Sequence, residues 1–373
     1  MALRWRDAME AALYGPNGFF VAGRGPAAHF RTSVHASPVF ASCLGHVLTA
    51  LDLALDHPAR LDVVDVGAGR AELLRALLGA VVATPTGPSL AERIRFVAVE
   101  KAARPADLPA EIEWRPDIPA GITGLLLATE WLDNTPLDVA THTPDGWRHL
   151  LVDPATARET LGPALSPADA AWLTRWWPLP PPPSHVIKEF ASGPTPNGDA
   201  NSLISDERGW SGGWGQPGGW GRVEIGRERD QAWAEAVGQV RRGAALAVDY
   251  GHLRESRPVD GTLTGYRDGR QVPPVPDGSC DVTAHVAMDS VASAGERVAR
   301  CAYTLVSQRA AVRALGADGG RPPLSLASRD PAGYLRALAA ASAVAELTDP
   351  AGLGGHWWLW QPVGVDLDPL LAR

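Results

Sequence analysis

The sequence predicts a Rossmann-like α/β fold, and three observations carry that expectation. First, the β-branched run Leu61-Asp62-Val63-Val64-Asp65-Val66 is closed by Gly67-Ala68-Gly69 and followed by a helical pattern from Ala71 to Val82. This is strand, glycine turn and helix, the opening of a parallel α/β unit. Second, continuous apolar runs recur at Ile94–Val99, Gly124–Ala128 and Ala244–Val248, as expected of strands buried on both faces. Third, these runs end at Glu100, at Thr129-Glu130 and at Asp249. Open α/β sheets bind ligands beyond the carboxyl ends of their strands.

The remaining elements follow in chain order. Arg6–Leu13 reads as a short amphipathic helix, closed by the turn cluster Tyr14-Gly15-Pro16-Asn17-Gly18. Ser37–Leu55 has helical spacing, with Val39, Phe40, Leu44, Val47, Leu48 and Leu51 on one side. More than a hundred residues separate the runs at Gly124 and Ala244, too many for a simple crossover. Within them lie a helical stretch at Ser166–Trp177, a proline break from Pro178 to Pro183 and a Gly/Trp-rich segment, Gly209–Gly221. That segment reads as either a substrate lid or a surface loop. Glu228–Val240 is expected to be a helix feeding the strand at Ala244. Ala302–Leu315 and Pro331–Leu347 read as helices and His356–Gln361 as a late strand. The expected organisation is an N-terminal helical cap over residues 1–58, a Rossmann-like core over 59–152 and 241–373, and a substrate-facing insertion over 153–240.

Composition narrows the function classes. With 373 residues, 45% hydrophobic and 20% charged, the chain has the profile of a soluble globular protein. Its formal net charge of -8 argues against nucleic acid as a partner and suits either a cationic substrate or simple solubility. Cys43, Cys280 and Cys301 form no CxxC pair, so neither a metal site nor a disulfide framework is expected. No apolar run is long enough to span a bilayer and no signal pattern opens the chain, so a cytoplasmic location is expected.

The glycine turn points to the ligand. Asp65, Gly67 and Gly69 supply a turn that a ligand backbone can approach closely, because glycine has no Cβ. Glu100, at the end of the next strand, can accept protons from both ribose hydroxyls. Glu72 stands where a dinucleotide fingerprint needs its third glycine. That favours S-adenosylmethionine (SAM), which has a ribose but no pyrophosphate to cradle.

Together the motifs resemble those of the MidA-like family of SAM-dependent methyltransferases, relatives of the mitochondrial arginine methyltransferase that assists complex I assembly. His29-Phe30-Arg31-Thr32-Ser33 is similar to the family's Asp-Phe-x-Thr-Ser/Ala segment, and Asp65–Arg70 resembles its glycine turn. Thr129-Glu130-Trp131-Leu132-Asp133-Asn134-Thr135-Pro136-Leu137 resembles Asn-Glu-Phe-Phe-Asp-Ala-Leu-Pro-Val. Asp249-Tyr250-Gly251, Gly261-Thr262-Leu263 with Tyr266, and Asp281-Val282-Thr283-Ala284-His285-Val286 follow in the family's order. The departures are His29 for Asp, His35 where the family has Glu, Ala71 for the last glycine of the turn, Thr129 for Asn, and Asn134-Thr135 for Ala-Leu.

The resemblance implies a class I SAM-dependent methyltransferase core of the seven-strand type, SAM as cofactor, an arginine side chain of a protein or peptide as acceptor, and a homodimer. A small-molecule N- or O-methyltransferase and a non-catalytic assembly factor on the same fold are the alternatives. Candidate cofactor residues are Thr32, Ser33, Asp65, Gly67, Gly69, Glu100, Asp117 and Glu130. Candidate catalytic residues are Glu130, Asp133, Tyr250 and His285. Glu130 would bind the acceptor or the amino-acid end of SAM. His285, with a reference pKa of about 6.5, suits a general base. Each residue has a plainer reading. Asp133, or Thr32 and Ser33, would cap a helix; Tyr250 would be core packing; His285 would be a buried structural histidine; and Asp117 would be a solvated loop residue rather than an adenine contact.

Overall fold

A computed structural model describes residues 1–22, 33, 38–82, 90–178, 220–317 and 319–370. Thr32, His29, His35 and most of the Gly/Trp-rich segment lie outside the described residues. Among those described, a central sheet contains seven strands: β1 (Leu61–Val66), β2 (Ile94–Val99), β3 (Ile112–Arg115), β4 (Ile122–Thr129), β5 (Val240–Asp249), β6 (Thr304–Ser307) and β7 (Trp357–Val363). Their order is β6-β7-β5-β4-β1-β2-β3. Strands β1 to β5 pair in parallel, whereas β7 runs antiparallel to both β5 and β6. A dinucleotide-binding sheet would continue from β5 directly to a parallel sixth strand; here an antiparallel strand is inserted between them. The order reverses between β1 and β4, so the ligand crevice belongs beyond the carboxyl ends of those two strands.

The sheet is buried on both faces because its strands alternate between two apolar layers. Leu61 and Val63 join Leu125, Leu127 and Phe40 on one side, under helices Pro38–Ala54 and Glu72–Val82. Val64 and Val66 join Leu126, Trp233 and Val291 on the other, under helices Arg227–Gly238 and Met288–Ala299. Helix Pro38–Ala54, which the sequence groups with the cap, is thus one layer of the core. Two glycines allow β5, β4 and β1 to approach. Gly124 has φ +143°, and a Cβ there would run into the Asp62 backbone; Gly243 has φ +137° and would strike Gly124.

A second, antiparallel sheet joins Leu3–Arg4, Gly146–Val152, Asp138–Thr143 and Trp220–Ile225, with Glu159–Ala164 added to Gly146–Val152. Residues 138–152 therefore pair within this sheet rather than within the core to which the sequence assigns them. Pro144 and Asp145 bridge the hairpin that Gly146 closes at φ +101°. A third sheet of Thr264–Arg267, Arg270–Val272 and Asp281–Thr283 packs its apolar side, Cys280 and Val282, on Trp5 and Met9 of helix Trp5–Tyr14. That helix is thereby held so that its Glu10 and Tyr14 line the crevice. One expectation fails. Ala302–Leu315 is not a single helix: its first half is the edge strand β6, and the helix begins at Gln308 under a Ser307 N-cap. The β-branched pair at Thr304 and Val306 fits an edge strand. No described helix is long and apolar enough to cross a membrane.

Gly124→Ala is expected to lower stability by about 2 kcal/mol or more, because it combines a disfavoured φ with a backbone clash. The shift in the urea unfolding midpoint measures this, and a loss below half that size contradicts the close packing of β4 on β1.

Candidate active site

The crevice holds a cavity of about 1190 Å³. Its floor is the glycine turn. Gly67 and Ala68 both donate their backbone N–H to the Val99 carbonyl, at 3.0 and 3.2 Å, which straps the turn to the end of β2. Gly67, at φ +71°, leaves no room for a side chain, since a Cβ would lie 2.9 Å from Trp131 Cδ1. Gly69 donates its N–H to Glu100 Oε2 at 3.0 Å, while Glu100 Oε1 accepts from the N–H groups of Lys101 and Ala102 at 2.7 and 3.2 Å. Three backbone donors therefore fix the Glu100 carboxylate as an acceptor facing the cavity. Asp65 lies beneath, 3% exposed, and burial followed by the nearby Glu72 and Glu100 pushes its pKa up to about 8. Ala71 sits at φ +63° where the family pattern has glycine, a geometry that costs an L-residue about 1–2 kcal/mol.

The opposite wall is built by the loop after β4. Glu130 adopts φ +51°, and its N–H donates to the Val248 carbonyl at 2.8 Å, so the chain turns sharply as it leaves the sheet. Its Oε1 accepts the Ser33 N–H at 3.2 Å. Ser33 itself is buried, with Oγ donating to Gln308 Oε1 at 3.1 Å; it positions Glu130 from behind. Asp133 does not cap a helix. Its Oδ2 accepts from the Tyr250 hydroxyl and from Thr283 Oγ1 at 2.7 Å, and Tyr250 and Thr283 hydroxyls lie 2.6 Å apart. Burial raises the Asp133 pKa, against the opposing pull of those two hydrogen bonds. Tyr250 is therefore a polar member of this cluster rather than core packing.

His285 is exposed on the cavity wall, so it is not a buried structural histidine. Its ring meets Tyr250 edge-on at 5.1 Å, and its backbone N–H donates to Thr262 Oγ1 at 2.8 Å. Desolvation by the surrounding walls lowers its pKa below the ordinary 6.5, which leaves the imidazole neutral at pH 7. Asp117 also lines the cavity, but from the loop after β3, a strand the sequence pattern did not reveal. Among the described residues, then, the cavity gathers Asp65, Gly67, Gly69, Glu100, Asp117, Glu130, Asp133, Tyr250 and His285.

Sequence reasoning missed the residue that holds these walls together. Arg229, 1% exposed, reaches from helix Arg227–Gly238 and donates to four carbonyls. Nε meets Thr135 O at 3.1 Å, Nη1 meets Ala284 O and His285 O at 2.9 and 3.0 Å, and Nη2 meets Asp133 O. Its signal was present: Arg229 falls on the same helix face as Trp233, Ala236 and Val237, where a charge is out of place unless it is paired. Asp249, fully buried, serves the same loop from below by accepting the N–H groups of Leu132 and Asp133 at 3.0 and 3.2 Å.

The cavity is rich in carboxyl groups. Glu10, Asp65, Glu72, Glu100, Asp117, Glu130, Asp133, Glu235 and Asp281 line it, nine carboxyl groups against two basic side chains, Arg70 and Lys101. No described group of His, Cys, Asp or Glu has the spacing to hold a metal. A glycine cradle with no room for a Cβ, a carboxylate fixed beside it and a surplus of carboxyl groups, which an arriving cation would draw into their ionised form, fit a cationic sulfonium carrying a ribose and an ammonium group.

Comparison with known proteins bears on the same conclusion. Residues 43–305 match the model of the family described as "Putative S-adenosyl-L-methionine-dependent methyltransferase". The chain belongs to this methyltransferase family. Its cofactor is accordingly SAM, and the family agrees with the MidA-like resemblance of the motifs. Two solved structures from Burkholderia thailandensis, both of the COG1565 superfamily, share the fold. One, bound to S-adenosyl-homocysteine, is 22% identical, with a TM-score of 0.72 over 100% of this chain and 91% of that one. The other, a native structure, is also 22% identical, with a TM-score of 0.68 over 100% of this chain and 90% of that one. No curated protein matches the sequence.

Within this family member, Glu100→Ala is expected to weaken S-adenosylhomocysteine binding about tenfold or more, since it removes a fixed charged acceptor. Gly67→Ala should do the same by forcing Trp131 into the cavity. Isothermal titration calorimetry measures both; wild-type affinity in either variant contradicts the placement of the cofactor on this turn.

Proposed function

We propose that this methyltransferase N-methylates the guanidinium of an arginine side chain in a protein or peptide. The observation that carries this reading is that carboxyl groups remain on the cavity wall beyond those the cofactor would engage, with Asp133, bonded to Tyr250, and Asp281 both nearly buried. Such a wall attracts and orients a cationic acceptor. The order of family motifs along the chain supports the arginine assignment, and the ligand of the Burkholderia protein supports SAM as donor.

When bound, SAM supplies an electrophilic sulfonium methyl. The rest is done by the chain. Glu100 accepts the ribose hydroxyls, oriented in advance by three backbone N–H groups. Asp65 and Glu130, on either side of the switch point, would hold the ammonium end, and a positive charge there would draw Asp65 into its ionised form. Asp133 holds the acceptor with one nitrogen presented for in-line attack, and such positioning alone can contribute several kcal/mol to the rate. As that nitrogen gains a methyl it must release a proton. The neutral imidazole of His285 takes it, with Tyr250 edge-on to the ring keeping its orientation.

Mass spectrometry of arginine-containing peptides incubated with enzyme and isotopically labelled SAM tests the reading. Labelled methyl on arginine nitrogen is expected, and label on a small amine or hydroxyl compound with none on peptide would overturn the acceptor class. The pH profile tests the base. His285 must be neutral to work, and its pKa is lowered, so activity should be full at pH 7 and fall as pH drops through a value below 6.5. In His285→Gln that acid limb should vanish and the maximal rate fall about a hundredfold or more; an unchanged limb would assign the base elsewhere.

A further inference from the structure

Asp281 takes no part in the steps above, yet it borders the same cavity as Asp133. It lies at the start of strand Asp281–Thr283 and is 5% exposed. Its recorded hydrogen-bond partner is the neutral Asn134 amide, which donates to Oδ1 at 2.7 Å. Asp133 is 3% exposed and has Oδ1 buried without a partner. Two nearly buried carboxyl groups thus meet one cavity with no cation donating to either side chain among the described residues. Arg229, a buried guanidinium, gives its hydrogen bonds to four backbone carbonyls and acts on Asp133 through space alone.

A buried charge with no cation hydrogen-bonded to it is costly. In agreement with that, burial raises the pKa of Asp281 well above the carboxylate range, and Asp133 is the next largest cause. A cation in the cavity would relieve both groups at once. A planar cation with several N–H donors does so best, because it can address two carboxyl groups in different directions.

We propose that Asp281 is a specificity-determining residue that pairs with Asp133 to clamp the cationic head of the methyl acceptor. The inference rests on the reading of a cationic acceptor and adds which residues enforce it. The clamp selects charge over shape. It admits a guanidinium and rejects its neutral isostere, which would leave both carboxyl groups unpaired.

The test uses N-methylguanidinium and its neutral isostere N-methylurea as probes, titrated by ligand-observed NMR into the full-length protein saturated with S-adenosylhomocysteine. Wild type should prefer methylguanidinium by about tenfold or more, as loss of a buried charge pair implies. Asp281→Asn retains the shape and a hydrogen bond to Asn134 and should lose most of that preference. Asp281→Glu should retain part of it. Unchanged S-adenosylhomocysteine affinity in both variants would show that the fold is intact. Equal preference in Asp281→Asn and wild type, or no binding of methylguanidinium to wild type, would overturn the clamp. Asp281-dependent methylguanidinium binding with no methyl transfer to arginine peptides would instead uphold the clamp and remove arginine as the acceptor.

Discussion

The candidate site depends on one buried guanidinium. Arg229 donates to four backbone carbonyls, those of Asp133, Thr135, Ala284 and His285. These belong to two loops that are far apart in sequence, one leaving β4 and one following strand Asp281–Thr283. The side chains at issue in the chemistry, Asp133 and His285, hang directly from the clamped peptides. A lysine has three donors at a single point and cannot replace a planar fork with five. Desolvation lowers the pKa of Arg229, and Asp133, Glu224 and Asp249 offset that effect, so the charge is kept where the geometry requires it.

Around this clamp the site divides into two walls with different physics. The wall proposed for the cofactor is backbone: a glycine turn strapped to Val99, and one carboxylate, Glu100, fixed by N–H groups. The wall proposed for the acceptor is side chain: Asp133, Tyr250 and Thr283 in one hydrogen-bonded cluster, with Asp281 and His285 beside it. Backbone geometry changes little with residue identity outside the glycines. Side-chain walls can be retuned one residue at a time. Three of the departures from the family pattern, Thr129, Asn134 and Thr135, fall in and around the loop that leaves β4. Asn134 donates to Asp281, a bond that the alanine of the family pattern cannot make.

Much of the fold was legible because its signals are local. Buried parallel strands show as apolar runs, and β1, β2, β4 and β5 announced themselves in this way. Strand β6 was misread as helix because Thr304 and Val306 are followed at once by a good helix former, Gln308-Arg309-Ala310-Ala311. Strand β3 was missed because Ile112-Glu113-Trp114-Arg115 is half exposed at the sheet edge and has no apolar run. The antiparallel sheet escaped because its strands are short and pair across long intervals, as Leu3–Arg4 does with Leu151 and Val152. In the site, Glu100, Gly67 and Gly69 were visible from spacing alone. Arg229 was not, and the partners of Asp249 and Thr283, which do fall in motifs, were not either, since these roles come from tertiary burial and shared contacts.

The most direct test of this account is hydrogen–deuterium exchange on Arg229→Lys, followed at single amides. The amides of Asp133 and Ala284 bond to Asp249 Oδ2 and to the Asp133 carbonyl, so they report on the clamped loops. The account predicts that both exchange about tenfold faster or more than in wild type, while amides of β1 keep their protection. Unchanged exchange at Asp133 and Ala284 would contradict it, because the loops would then hold their shape without the guanidinium fork.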